Sequence, residues 1–479
     1  MRAALESITA GELQRHVNVL ADDAFEGRGA GSRGGRAAGV YLGQQFRRLG
    51  LRGAGDDGGY YQPFGAGYRN ILGLLEGSDP LLKKQVVLVG AHYDHVGYGN
   101  AGNSNGPIGY IHNGADDNAS GVAGLLETAQ AMTQFAGRSR RTVLFALWDG
   151  EEQGLLGSKH WIARPTLPLE RVAIVLNLDM IGRLRNSRVE VLGTRSGYGL
   201  RRLVSRQNVE GELRLDFTWE LKSNSDHHPF YQRGIPILMP HTGLHEDYHR
   251  PTDDAHGVSA AGMQSVSRLL FRIVNELANA QRVTRFRAAG REETPWTAAR
   301  RFQTLPPPPS RLGLWWNPAA KTNPGLRLTR IAAGSPAERA GLRVGDELVR
   351  LDGRPAGDVE AFRMRVLAAR RPVKVVVERP GEKTPVTLTV QLAGSPVRLG
   401  IAWRMDDAEP GTAVLVQVVP GSPAAVAGLA VHDRIYQFAG RDFATSDDLL
   451  KLATETPGPA MLLVEREGRL REVAVRPLE

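Results

Sequence analysis

Apolar residues along the chain follow two spacings, and the alternation between them changes character once. Up to about residue 280, short unbroken apolar runs alternate with segments whose apolar residues recur every three or four positions. The runs QVVLVG, RTVLFALW and RVAIVLNL are short, rich in β-branched and aromatic residues, and read as buried strands. GVAGLLETAQ and VSAAGMQSVSRLLFRIVNELANAQ carry helical spacing, and the second predicts the helix that closes the first domain. Strands alternating with helices predict an α/β domain built on a mostly parallel central sheet flanked by helices. The opening MRAALESITAGELQRHVNVLADDAFEGR lacks an apolar signal core and predicts an amphipathic helix of the mature fold. No stretch reaches the ~18 uninterrupted apolar residues that a membrane span requires.

The alternation breaks at RFQTLPPPPSRLG, where Pro306 to Pro309 cannot continue a helix and favour a stiff, extended spacer. Beyond it the chain repeats itself. RLGLWW at Arg311 returns as RLGIAW at Arg398, AGSPAERAGL at Ala333 as PGSPAAVAGL at Pro420, and GDELVRLDGR at Gly345 as HDRIYQFAGR at His432. A constant offset of 87 residues without a gap identifies two copies of one module. The expected organisation is therefore 1–298, a linker 299–310, and modules 311–394 and 395–479. Each copy predicts short strands, a helix entered through GSPA, a second helix and closing strands.

These copies resemble the PDZ domain in its bacterial, protease-associated arrangement, on the signature GSPAxxAGLxxGD. The resemblance implies a loop whose backbone amides take a peptide's terminal carboxylate while the peptide adds as an edge strand. The matching positions are Leu312, Gly313 and Leu314, then Leu399, Gly400 and Ile401. His432 replaces Gly345 in the second copy, a departure that weakens the ligand-binding reading there. Packing on the first domain, or assembly, is the alternative role for both modules.

Composition narrows the chemistry. The net charge of +9 comes from arginines scattered along the chain, without a basic block interleaved with aromatics, so nucleic acid is not an expected partner. Cysteine is absent, which removes disulfides and thiolates and leaves oxygen and imidazole nitrogen as the only strong metal ligands. Neither an exported nor a cytoplasmic location is decided by this.

Polar residues with chemical potential sit just past the ends of the predicted strands, the edge where open α/β sheets bind ligands. AHYDHVG supplies His92 and Asp94, WDGEEQG supplies Glu151 and Glu152, NLDMIG supplies Asp179, and HEDYHRPTDD supplies Tyr248 and His249. GADDNASG places Asp116 and Asp117 at a helix entry, where an aspartate alone is usually an N-cap. Adjacent side chains of Glu151 and Glu152 must point in different directions, so the two carboxylates can serve different partners. Several acids converging on one edge would be forced to protonate unless a cation sat among them. A divalent cation held by carboxylate and imidazole answers that requirement.

HYDHVG, GADDNASG, WDGEEQGLLGS, NLDMIGR and DYHRPTDD also occur in the order found in M28-type zinc aminopeptidases, which the chain resembles over roughly residues 10–280. The resemblance implies the zinc-exopeptidase fold and two zinc ions per chain. His92 and Asp179 would bind one ion, Glu152 and His249 the other, with Asp117 bridging, and Asp117–Asn118 would be a cis peptide. It further implies a zinc-activated water, with Glu151 as general base, Tyr248 donating to the oxyanion, and Asp94 fixing the tautomer of His92. The implied substrates are peptides with a free N-terminus. The glycine-rich VGYGNAGNSNGPIGYIHN between the first two motifs reads either as a loop over the site or as a plain connection. A dipeptidase or carboxypeptidase, a single-zinc glutaminyl cyclase and a non-catalytic peptide-binding scaffold are the alternatives on the same fold.

Overall fold

The computed structural model describes residues 1–478 apart from 66, 136, 138, 210–212, 309 and 318–324, so Pro309 of the predicted linker lies outside the described residues. Two compact units emerge, one of Met1–Ala298 with Asp407–Glu409 and Glu467–Leu470, the other of the remainder.

The first unit holds a nine-stranded sheet. Its strands are β1 (Arg52–Gly53), β2 (Tyr61–Phe64), β3 (Tyr68–Leu75), β4 (Val86–His92), β5 (Thr142–Trp148), β6 (Val172–Asn177), β7 (Arg188–Leu192), β8 (Arg214–Phe217) and β9 (Ile237–His241). Their spatial order is β1-β3-β5-β4-β6-β9-β7-β8, with β2 on β3. The middle of the sheet is parallel, β4 pairing with β5 and β6, and β6 with β9. Its flanks are mixed: β3 runs antiparallel to β5, β7 antiparallel to β9, and β7 parallel to β8. The expected mostly parallel sheet is therefore a parallel centre with antiparallel joins. Three residues separate β2 from β3, too few for the crossover that a parallel pair needs.

Every residue of β4 and β5 is buried, as a sheet covered on both faces requires. Alternate residues divide between two cores. Val87, Val89, Val143 and Phe145 join the core that includes residues of helices α2 (Ala10–Leu20), α3 (Arg33–Arg48), α4 (Gly121–Thr133) and α8 (Ala260–Asn279). Leu88, Leu144 and Trp148 join the other, with Trp161 of α5 (Leu156–Ala163) and Phe230 of α7 (His227–Gln232). The short α1 (Arg2–Ser7) and α6 (Leu200–Gln207) complete the layers, and α9 (Pro295–Arg301) precedes the proline run. The opening amphipathic segment is thus α1 and α2, capped by Thr9, whose side chain accepts from the Glu12 amide.

In the second unit the module architecture recurs. Elements beginning at 314, 336, 347, 359 and 373 return at 401, 423, 434, 446 and 460, each 87 residues on. The first module comprises β10 (Leu314–Trp316), β11 (Leu326–Ile331), α10 (Pro336–Arg339), β12 (Glu347–Leu351), β13 (Arg354–Pro355), α11 (Val359–Ala368), β14 (Val373–Glu378) and β15 (Val386–Val390). The second comprises β16 (Ile401–Met405), β17 (Ala413–Val418), α12 (Pro423–Val426), β18 (Arg434–Phe438), α13 (Ser446–Glu455), β19 (Ala460–Arg466) and β20 (Arg469–Val475). Each has its own sheet and its own apolar core.

The predicted carboxylate loops sit at equivalent places. Gly313 (φ 74°) and Gly400 (φ 82°) occupy the left-handed region, and a Cβ on either would collide with Ser335 or Ser422. Leu312 and Leu314 line a cavity of about 720 Å³ with Trp316 and with Phe362 and Val366 of α11. In the second module Leu399 is buried and Ile401 half-buried, and Trp403 Nε1 donates to Ser446 Oγ at 3.1 Å, linking β16 to α13.

Candidate metal centre

The parallel strands deliver their acids and imidazoles to one edge. His92 is the last residue of β4, Glu151 and Glu152 follow β5 by a short turn, and Asp179 follows β6. Asp117 lies in the turn that enters α4, and His249 on the segment after β9. The Asp117–Asn118 peptide is cis.

The side chains fall into two groups that share one residue. His92 Nε2 lies 3.3 Å from Asp117 Oδ1 and 3.5 Å from Asp179 Oδ1. His249 Nε2 lies 3.0 Å from Asp117 Oδ2 and 3.2 Å from Glu152 Oε2. Asp117 therefore turns one carboxylate oxygen to each group. Within each group the donor atoms all lie within 4.8 Å of one another, a span that one cation can collect. Among the described residues, the buried His249 Nε2 makes no hydrogen bond of acceptable geometry, close as both carboxylates are. His249 itself holds φ 54°, a left-handed backbone uncommon outside glycine.

Charge at this edge is strongly coupled. Burial would lower the imidazole of His92, yet Glu151, Asp179 and Asp117 hold it well above its ordinary value. Burial would raise Asp117, yet the adjacent imidazoles of His249, His92 and His95 hold it well below. Burial likewise opposes the rise of His249 to about 10, which Asp117 and Glu152 cause. Glu151 is pushed well up, first by burial and then by Glu152, Asp226 and Asp179, with His92 opposing. The Tyr248 hydroxyl is raised by burial and by Asp117, Glu152, Asp179 and Glu151, so it stays a donor through neutral pH. Its ring stacks on His249 at 4.0 Å. The carboxylates demand positive charge; divalent cations would supply it while leaving the imidazoles neutral and ligating.

Asp94 differs from its expected role. His92 Nδ1 reaches the backbone carbonyl of Asp94 at 3.2 Å, whereas the carboxylate stands 3.8 Å away. That carboxylate is turned instead to the amides of Glu151 (3.1 Å) and Glu152 (3.3 Å), which the turn after β5 leaves without ladder partners. Asp94 thus fixes the position of the glutamate pair, and its main chain orients the imidazole. Asp116 accepts from Ser120 Oγ (2.9 Å) and the Gly182 amide (2.6 Å), a bracing position outside both groups.

Several participants were not singled out by sequence reasoning. His95 joins the second group, its Nδ1 2.9 Å from Glu152 Oε1 and 3.9 Å from Asp117 Oδ2. It stands three residues after His92 inside a quoted motif, and that spacing was the available signal. Asp253 accepts the amides of Asp116 and Asp117 at 2.9 and 3.1 Å. Arg28, fully buried, donates to the carbonyls of Leu20, Tyr93, Asn113 and Gly114, tying the N-terminal segment to both metal-site turns. Asn118 donates to Leu178 O and accepts from Gly121 and Met180 amides, joining the entry of α4 to the exit of β6. The glycine-rich segment takes part too: Asn103 O faces His249 Nδ1 at 2.8 Å, and the Asn105 amide donates to His249 O at 2.9 Å. Such a bond from the distal ring nitrogen holds a ligating imidazole in orientation.

Residues 70–274 match the model of peptidase family M28, and residues 327–379 match that of the PDZ domain. Aminopeptidase YwaD of Bacillus subtilis is 28% identical over 217 residues, covering 43% of this chain and 44% of YwaD. Leucine aminopeptidase 1 of Arthroderma otae is 28% identical over 216 residues, covering 40% of this chain and 55% of its own. The chain thus spans about half the length of these curated relatives. Among solved structures, the LapA aminopeptidase of Legionella pneumophila overlaps 59% of this chain and 74% of its own at 18% identity and a TM-score of 0.49. The chain thus carries a peptidase family M28 domain followed by a PDZ domain.

Proposed function

We propose that this protein is a zinc-dependent aminopeptidase that binds two zinc ions per chain and removes N-terminal residues from peptides. The observation that carries the two-ion reading is Asp117, with Oδ1 toward His92 and Asp179 and Oδ2 toward His249 and Glu152. His92, Asp117 and Asp179 would hold one ion, and Asp117, Glu152 and His249 the other, with His95 against Glu152. Two such ions supply Lewis acidity and lower the pKa of water toward ~7.

The chain's own residues do the rest. Glu151, next to Glu152 and held in the field of His92, Asp226 and Asp179, has a raised proton affinity, suited to take a proton from the attacking water and return it to the departing amine. The Tyr248 hydroxyl, kept protonated, donates to the oxygen that gains charge at the scissile carbonyl. The acids at this edge attract the substrate's α-ammonium group.

Hydrolysis of aminoacyl anilides before and after chelation tests the reading. Activity is expected to vanish with the metal and return with zinc; activity indifferent to chelator would end it. His95→Ala is expected to release the ion of its group at about 10–100-fold lower chelator, because Glu152 loses the imidazole that orients it. An unchanged release curve would leave His95 without a part.

We also read residues 395–479 as a second PDZ domain and the cavity beside Leu312, Gly313 and Leu314 as a peptide groove. Loss of peptide binding when the C-terminal carboxylate is amidated is the expected result, and equal affinity would refute the groove.

A further inference from the structure

Away from the M28 centre, Glu12 and His16 lie one helical turn apart on α2, and Glu127 faces them from α4. Glu127 is 1% exposed and His16 4%. Among the described residues, neither carboxylate oxygen of Glu127 has a hydrogen-bond partner. A carboxylate closed off from water with nothing donating to it is strongly disfavoured unless a proton or a cation joins it. His16 is aimed by its other nitrogen, Nδ1 standing 2.7 Å from the Tyr41 hydroxyl, and its Nε2 lies 3.7 Å from Glu127 Oε1. Glu12 brings a third donor, one atom from each residue falling within 4.8 Å of the others. Arg15 Nε bonds Oε2 of Glu12 at 2.9 Å.

We propose that Glu12, His16 and Glu127 form a further divalent-cation site that clamps the N-terminal helix α2 to α4. The donor set is two carboxylates and an imidazole without sulfur, which suits zinc or manganese better than magnesium or calcium, whose ligands are all oxygen. Ligand atoms ~2.0–2.1 Å from a tetrahedral zinc stand roughly 3.4 Å apart, close to the 3.7 Å between His16 and Glu127. Glu12, half-exposed at the helix surface, gives the ion its way in and leaves room for a water as fourth ligand.

The electrostatics agree. Burial, and then Arg15, push His16 down to about 4, so its imidazole is neutral and free to ligate at neutral pH. Burial raises Glu127 to about 7, so its proton is readily exchanged for a cation. The site would brace the helix whose first turn follows Asp117, with Glu127 six residues or about 9 Å along its axis from Gly121. The inference does not depend on the peptidase reading.

Counting ions in the full-length protein decides it. After chelator treatment, reloading with zinc and desalting, wild type is expected to hold one more ion per chain than Glu127→Gln, with anilide turnover in the variant within about twofold of wild type. Equal counts would overturn the proposal, because a pair that merely shares a proton holds no ion. Should Glu127→Gln fail to fold, Glu12→Gln serves, since it alters only the helix surface. It is expected to weaken one ion by more than about tenfold in zinc titration, and an unchanged titration would overturn the site equally.

Discussion

Glu151→Gln is expected to lower kcat by about 10²–10⁴-fold while the metal content stays at the wild-type level. The substitution keeps the size of the side chain and removes only its ability to accept a proton. The turn holding Glu151 and Glu152 is fixed through their amides by Asp94, and the Glu151 amide survives the change. Glu152, not Glu151, stands against the imidazoles of His95 and His249, so the proposed metal ligands are untouched. The loss corresponds to about 3–5 kcal/mol of transition-state stabilisation. Kinetics on an aminoacyl anilide, paired with elemental analysis of the same sample, read both quantities. Turnover within tenfold of wild type at full metal content would remove Glu151 as the base. A variant that also lost its metal would show instead that Glu151 supports the cluster.

What the sequence disclosed here follows a physical division. Strand runs such as VVLVG and TVLFALW were legible because a doubly covered sheet buries both faces of its central strands and leaves unbroken apolar stretches. The residues after those strands were legible as a group because strand C-terminal ends meet at one edge whatever the loops do. Strand direction at the flanks was not legible, since β3 and β7 look no different in composition from their parallel neighbours. Asp94 was placed near His92 correctly, but which of its oxygens meets the ring depended on the amides of Glu151 and Glu152, 57 and 58 residues away. His95, Asp253 and Arg28 act through contacts made only when distant turns close. Arg28 is the clearest case, a cation usually found at surfaces that is spent wholly on four carbonyls. The module repeat was legible to the residue, because an 87-residue register carries its own alignment.

Asp117→Asn is expected to have a larger effect than loss of the base, because it removes the one charge that both ion groups share. Oδ1 serves the group of His92 and Asp179, and Oδ2 that of His249, Glu152 and His95. An amide can still offer one oxygen, yet its nitrogen carries hydrogens and cannot ligate, so one group loses a ligand outright and the other loses a charge. Affinity for zinc is expected to fall by more than about 100-fold in at least one group, and turnover beyond the ~10⁴-fold that loss of a general base can explain. The fold should survive, since Asp253 holds this turn through the main-chain amides of Asp116 and Asp117 rather than through the altered side chain. Circular dichroism, ion count and anilide turnover on one preparation separate the outcomes. His249→Ala supplies the contrast, expected to weaken only the second group and to leave the ion of His92 and Asp179 in place. If Asp117→Asn kept a wild-type ion count and turnover, Asp117 would not be a bridge. The two groups would then have to be treated as independent sites.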